Sequence, residues 1–327
     1  MPKTATNSVA RRTERGEVHR DTDMAAFAEI IRIAEAASHG EEPGGGAQET
    51  GPARGCRIKA LPSRLQERAA EVASRINPAN APLFQMALGD GVVTPQRLTL
   101  LTAKYWGPQE RQFTVSFMER PSAELRARII SHMNAWSRTA NKTFVETSGT
   151  GDIRIAFEPD GFWSFLGTDV GLIPKDRPTM NLEGFTMNTP ESEYRRVVRH
   201  ETGHTLGFPH EHMRRELVAR IDREKAYAFF LRTQGWSKKD VDQQVLTPLD
   251  ERSIIGTKPD QDSIMCYQLP GQITIDGEPI RGGLDINATD FEFAGRIYPK
   301  TSFTPEGLSA DADEDDWDPS MDVEVPY

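Results

Sequence analysis

Three histidines and a glutamate are spaced so that together they can do hydrolytic chemistry: His200, Glu201, His204 and His210, with Gly207 between the last two histidines. Residues four apart share one helix face, so a helix through 200–204 directs the His200 and His204 imidazoles at one metal ion. Glu201 then points close to the same ion without having to bind it, where a carboxylate can take a proton from an activated water. Gly207 is placed to end the helix in a left-handed turn, Pro209 keeps it from resuming, and His210 supplies a third nitrogen from another direction. Three neutral imidazoles make a tetrahedral zinc site with one open position, the catalytic form rather than the closed structural one. The helix start is written as well: Thr189 as the capping hydroxyl, Pro190 at the first helical position, and Glu191 and Glu193 near the positive end of the dipole. With seven histidines and 26 glycines in 327 residues, chance places such a pattern in about two of 100,000 shuffled chains.

The run from His200 to His210 resembles the extended zinc motif, HExxHxxGxxH, of the metzincin metalloproteases. Phe208 and Glu211 are similar to the astacin branch, and Ser263, Ile264, Met265, Cys266 and Tyr267 resemble that branch's Met-turn with its following tyrosine. Leu284 through Asp290, then Tyr298 and Pro299, resemble its closing segment. The resemblance covers 102–300 and is strongest at the two motifs. It implies that His200, His204 and His210 hold one Zn(2+), and that Glu201 serves as general base and then as proton shuttle. It also implies that Gly207 makes the turn, Met265 forms a hydrophobic floor under the imidazoles, and Tyr267 supports the oxyanion. Ordinary core packing is the competing reading of Met265 and Tyr267. Trp163, Ser164, Phe165, Leu166 and Gly167 resemble the edge strand on which an extended polypeptide is held by its backbone.

The pattern departs from the family in places. Secreted astacins are usually held by disulfides, and Cys56 and Cys266 cannot make such a set. Cys266 inside the Met-turn is expected to be a buried, inert thiol. Glu211 either receives a new amino terminus after processing or pairs with another group such as an arginine. Two short matches to latency devices precede the domain: Asp90, with Phe84 upstream, resembles the aspartate of astacin propeptides, and Cys56 resembles, in scrambled order, a cysteine switch. Neither is counted among the site residues.

The elements that must position these groups are also visible. Phe113, Val115 and Phe117 alternate as in a half-buried strand. Ser122 is an N-cap for a helix carrying Leu125, Ile129, Met133, Trp136 and Ala140 on one face. Short strands are expected around Thr143, around Ile153 and Ile155, at Trp163 and at Thr179. The fold class predicted is α+β: a metzincin-like zinc protease domain with a mixed sheet and an active-site helix, preceded by a helical N-terminal extension. The expected divisions are an extension over 1–101, a catalytic domain over 102–300 and an acidic tail over 301–327. Within the extension, a helix around Met24 to Ala34, a Gly-rich linker from Glu42 and a helix over 61–76 are expected.

Composition narrows the partners. The net charge is −10, but eight acidic residues and no Lys or Arg lie in 308–327, leaving a nearly neutral body without the basic face that nucleic acid requires. No eighteen apolar residues run together, so no membrane span is expected. The absence of an apolar leader points to the cytoplasm or to a leader-independent export route. The function expected is a zinc metalloendopeptidase acting on polypeptide substrates; the rivals are a catalytically silent peptide-binding protein on the same fold and a leaderless toxin or effector protease. Oligomeric state is open.

Overall fold

Phe113 and Val115 point the same way along a strand and are both fully buried, and the strand they form runs Arg111–Phe117 (β2). The computed structural model describes residues 56–81, 103–249 and 258–300. Among these residues β2 belongs to a six-stranded sheet with Cys56–Lys59 (β1), Lys142–Glu146 (β3), Ile153–Ala156 (β4), Phe162–Phe165 (β5) and Met180–Leu182 (β6). The order across the sheet is β1-β5-β6-β4-β2-β3. β2 pairs in parallel with β3 and β4, β4 with β6, and β1 with β5, while β5 runs antiparallel to β6. This is a mixed sheet, with β4 buried along its whole length near the centre.

Helices cover the sheet. Ser122 accepts a hydrogen bond from Leu125 N at 3.3 Å and starts Ala123–Met133 (α2), as its position predicts. The apolar pattern carries that helix on to Ala140, but it stops at Met133 and tightens into a 3-10 turn, Asn134–Arg138. Asn134 accounts for the difference. Its side chain donates to Ile130 O at 3.0 Å and Phe144 O at 2.8 Å and accepts from Phe144 N at 2.9 Å, which ties the helix end to β3. The helix expected over 61–76 is Ser63–Ile76 (α1).

The helical run over 191–205 delivers the histidines. Its start differs from the expected Thr189 cap: Pro190 takes the N-cap position, and Thr189 Oγ1 instead accepts from Thr186 N at 3.0 Å. Tyr194–Val198 is a π-helical stretch in which Tyr194, Val197 and Val198 are all buried, and Arg199–Thr205 (α3) follows it. Three contacts fix α3 on the sheet side: Trp136 Nε1 donates to Arg199 O at 2.8 Å, Trp106 Nε1 donates to Thr205 O at 2.9 Å, and the hydroxyls of Ser164 and Thr205 lie 3.1 Å apart.

Arg223–Gln234 (α4) is capped by Asp222 and ended by Gly235, whose φ of 69° is left-handed. Lys238–Val241 (α5) continues into a π-helical turn, Asp242–Leu246. Ala288–Ile297 (α6) starts at a capping box made by Asn287 and Asp290. One hydrophobic core joins the sheet, α2, α6 and the residues on either side of α3 (Tyr194, Val197, Val198, Leu206 and Phe208); a second gathers Leu217, Phe230, Trp236, Val245, Cys266 and Leu269. Among the described residues no helix is long and apolar enough to cross a membrane. The expected helix around Met24 to Ala34, the linker from Glu42, Phe84, Asp90 and the acidic residues of 308–327 lie outside the described residues.

Candidate metal centre

His200 and His204 lie one turn apart on α3 and bring their rings to a centroid separation of 4.6 Å. Gly207 then turns the chain with φ of 95°. A Cβ there would come within 2.7 Å of Lys104 O, so both the left-handed backbone and the close approach of a second strand of chain require glycine. The turn brings His210 back, its ring 4.6 Å from that of His204 and 5.3 Å from that of His200. All three are buried, His204 and His210 completely.

The hydrogen bonds assign the tautomers of His200 and His204. His200 Nδ1 faces Ile264 O at 2.6 Å and His204 Nδ1 faces Phe208 O at 2.8 Å, so each of these nitrogens carries the hydrogen. The Nε2 atoms are thereby left as bare lone pairs. His204 Nε2 and His210 Nε2 are 3.0 Å apart, and His200 Nε2 is buried without a partner. Burial holds all three imidazoles neutral: His200 is pushed down to about 4, and His204 and His210 well below their ordinary value. Neutral nitrogens converging at this spacing suit a cation between them, since two nitrogens each about 2.0–2.1 Å from one ion lie about 3.3 Å apart. The donor set fits a zinc ion.

A fourth donor joins them. Cys56 Sγ and the three imidazole nitrogens all lie within 4.8 Å of one another, and all four residues are buried. The sequence pattern does not place Cys56 among the site residues; its arrival depends on β1. The strand pairs with β5 in the register Cys56 to Phe162, Arg57 to Trp163, Ile58 to Ser164 and Lys59 to Phe165. Asp160 secures it from the preceding loop, accepting from Arg57 Nη2 at 2.6 Å and Lys59 Nζ at 3.0 Å, and Lys59 Nζ also sits 4.4 Å from the centre of the Trp163 ring. Of the predicted edge strand, Trp163, Ser164 and Phe165 lie in β5, while Leu166 and Gly167 lie past its end, Gly167 with φ of 47°. The outer side of β5 is therefore covered by β1.

Glu201, Tyr267 and Met265 surround the same centre. Glu201 is fully buried, with the Cys56 thiol beside it and no N–H or O–H donor on its carboxylate. Burial pushes its pKa up to about 8, against the opposing pull of Cys56 and Arg196. A cavity of about 300 Å3 is lined by Cys56, Arg196, His200, Glu201 and Tyr267 among others. The Tyr267 hydroxyl is buried without a hydrogen-bond partner, and its ring lies 5.8 Å from His210 and 5.3 Å from His212. Burial raises the phenol's pKa, so it is a donor. Met265 packs under α3 so closely that a Cβ on Gly203 would meet its Sδ at 2.3 Å. Cys266 is buried and its thiol pKa is raised by that burial, as expected of an inert thiol. Glu211 pairs with Arg214 at 3.2 Å and accepts from Asp260 N at 3.2 Å.

Asp290, within the closing segment, is a support for the site that the motifs do not mark. It accepts from Ser263 Oγ at 2.5 Å, Ile264 N at 2.9 Å and Asn287 N at 3.0 Å, while Ser263 Oγ accepts from Met265 N at 3.0 Å. The start of α6 thus holds the turn whose Ile264 carbonyl orients His200. The capping pattern, Asn287 followed by Asp290, was the signal available for it.

The family model described as Astacin, a peptidase family, matches residues 100–272, more than half of the chain. Zinc metalloproteinase nas-27 of Caenorhabditis elegans is 31% identical over 99 residues, which cover 30% of this chain and 21% of that protein. The match therefore spans about a fifth of the length of this curated relative. Among solved structures, that of myroilysin is 32% identical, covers 60% of this chain and 96% of its own, and superposes with a TM-score of 0.57.

Proposed function

This chain belongs to the astacin family of peptidases, and from that premise we propose that it is a zinc-dependent endopeptidase, with 102–300 as its catalytic domain and one zinc ion per chain. The observation that carries this reading is the convergence of one imidazole nitrogen from each of His200, His204 and His210 beside a buried carboxylate. Zinc bound there supplies a Lewis acid that polarises a peptide carbonyl and acidifies water. Glu201 accepts the proton of the attacking water as the C–O bond forms. It then returns the proton to the amide nitrogen as the C–N bond breaks, leaving an amine and a carboxylic acid whose remaining proton passes to the amine or to solvent. Burial raises the Glu201 pKa, and the positive charge of a zinc ion beside it would draw it back toward the ionised form that accepts the first proton. Tyr267 donates its phenolic hydrogen to the developing oxyanion, a contribution of about 2.7–4 kcal/mol for such donors. Met265 and Gly207 act on the ligands, the first as a floor under α3 and the second as the turn that returns His210.

An extended polypeptide substrate takes the outer side of β5, along Trp163, Ser164 and Phe165, where backbone pairing makes few demands on sequence. In the form described, Cys56 stands as a fourth donor and β1 fills that side. On this reading the segment around Cys56 is inhibitory and must leave before a substrate enters. Glu201→Gln tests the chemistry. Zinc content, read by atomic absorption, should be unchanged, while hydrolysis of a peptide library collapses; full activity of the variant would rule the mechanism out.

A further inference from the structure

Gln244 makes a pair of contacts to main chain that side-chain packing does not require. Its Oε1 accepts from Ile58 N at 3.1 Å and its Nε2 donates to Ile58 O at 3.1 Å. In a strand, the N–H and C=O of one residue face the same edge and those of its neighbours face the other. β1 has β5 on one edge, and the Ile58 groups face the opposite edge, toward Gln244. One carboxamide thus stands where a further strand would be. It is firmly mounted: Gln244 lies in the π-helical turn Asp242–Leu246, between buried Val241 and buried Val245, and its carbonyl accepts from His212 Nε2 at 3.0 Å. His212 follows His210 by two residues and is fully buried, so the clamp is built on the loop that carries the third imidazole.

We propose that Gln244 is a substrate-positioning residue, and that the carboxamide now holding Ile58 holds the main chain of a peptide lying along β5 during turnover. This rests on the reading of that groove as the substrate cleft. The chemistry suits the task. The donor and acceptor of the carboxamide match the C=O and N–H of a single residue and touch no side chain, so the clamp is indifferent to sequence. Rotation of the terminal amide by half a turn exchanges oxygen and nitrogen, which lets the same clamp serve a chain running in either direction along β5.

The test uses the full-length, zinc-loaded chain carrying Cys56→Ser and Ile58→Pro, which remove the thiol donor and the amide hydrogen that Gln244 accepts. Fluorescent hexapeptides, each N-methylated at one amide, are titrated against this protein with and without Gln244→Ala; anisotropy reads binding and mass spectrometry reads cleavage. Gln244→Ala should weaken the unmodified peptide about tenfold. N-methylation at one amide should cost affinity only while Gln244 is present, and methylation at the amides facing β5 should cost the same in both proteins. Gln244→Glu, which keeps the shape and the acceptor but lacks the donor, should lose about threefold, and it keeps the test decisive if the alanine variant does not fold. A uniform loss across all peptides, no loss at all, or no measurable binding of any peptide would overturn the clamp. Coupled binding without cleavage would sink the peptidase reading and leave the clamp standing; cleavage without coupling would do the reverse.

Discussion

Gly203 and Met265 offer a stability test in which the sign of one substitution should depend on the other residue. A Cβ added at Gly203 would lie 2.3 Å from Met265 Sδ, 3.0 Å from its Cε and 3.2 Å from Trp136 Cζ2. Ordinary contact is about 3.5–4.0 Å, so the sulfur would have to retreat by more than about 1 Å. Met265 and Trp136 are both buried, and an interior packed at native density has little room for that movement. Overpacking of this kind costs about 1–3 kcal/mol, and the clash with the sulfur places it toward the upper end. Alanine is favoured over glycine within a helix by about 1 kcal/mol. Gly203→Ala should therefore destabilise the wild-type chain by about 1–2 kcal/mol. Met265→Ala alone should cost about 2–5 kcal/mol by opening a cavity. In that background the added methyl enters the vacated space, and Gly203→Ala should stabilise by about 1 kcal/mol. The assay is guanidinium denaturation of the full-length, chelator-treated chains followed by circular dichroism, with the four proteins forming a double-mutant cycle. Equal destabilisation in both backgrounds, or a gain in the wild type, would refute the placement of Met265 against the helix.

Other expectations follow from the same geometry. Asp290→Ala removes two hydrogen bonds that hold the Met265 turn and one that caps α6, and should cost about 3 kcal/mol in the same denaturation assay; it should also loosen zinc, read by chelator competition, because Ile264 O orients His200. Unchanged stability and zinc affinity would contradict that support. Burial lowers Lys142 from its ordinary 10.5 to about 8, so between these values the unfolded chain binds more protons than the folded one. The Lys142 contribution to stability should thus rise as pH climbs from about 8 to about 10.5 and be flat below. Denaturation of wild type against Lys142→Met across this range checks it, and a difference that falls with pH would refute it. Cys56→Ala removes one of four candidate donors, so zinc should be lost to a chelator more readily and hydrolysis of an added peptide by the full-length chain should increase. Unchanged zinc retention and hydrolysis would show that the thiol is not a donor.

The parts of this protein that were legible in the residues are those governed by short-range backbone geometry. The four-residue spacing of His200 and His204 sets a shared helix face, Gly207 permits the left-handed turn, and Ser122 caps α2 as its side chain predicts. The alternation of Phe113 and Val115 gave a buried strand for the same reason. Local preference gave way where a distant partner intervened: Asn134 ends α2 early because Phe144 on β3 satisfies its amide, and Thr189 spends its hydroxyl on Thr186 rather than on the helix. What surrounds the imidazoles was settled only by the tertiary structure. Cys56 reaches them through parallel pairing of β1 with β5, Asp290 through the packing of α6 beneath the Met265 turn, and Gln244 through a π-helical turn hydrogen-bonded to His212. No period or cap in the sequence records the contacts of Cys56 and Gln244, and the Asn287–Asp290 cap marks where α6 starts but not the turn it holds. These contacts join segments far apart in the chain, and their formation depends on loop closure and on burial shared with a whole core rather than on the preference of any one stretch.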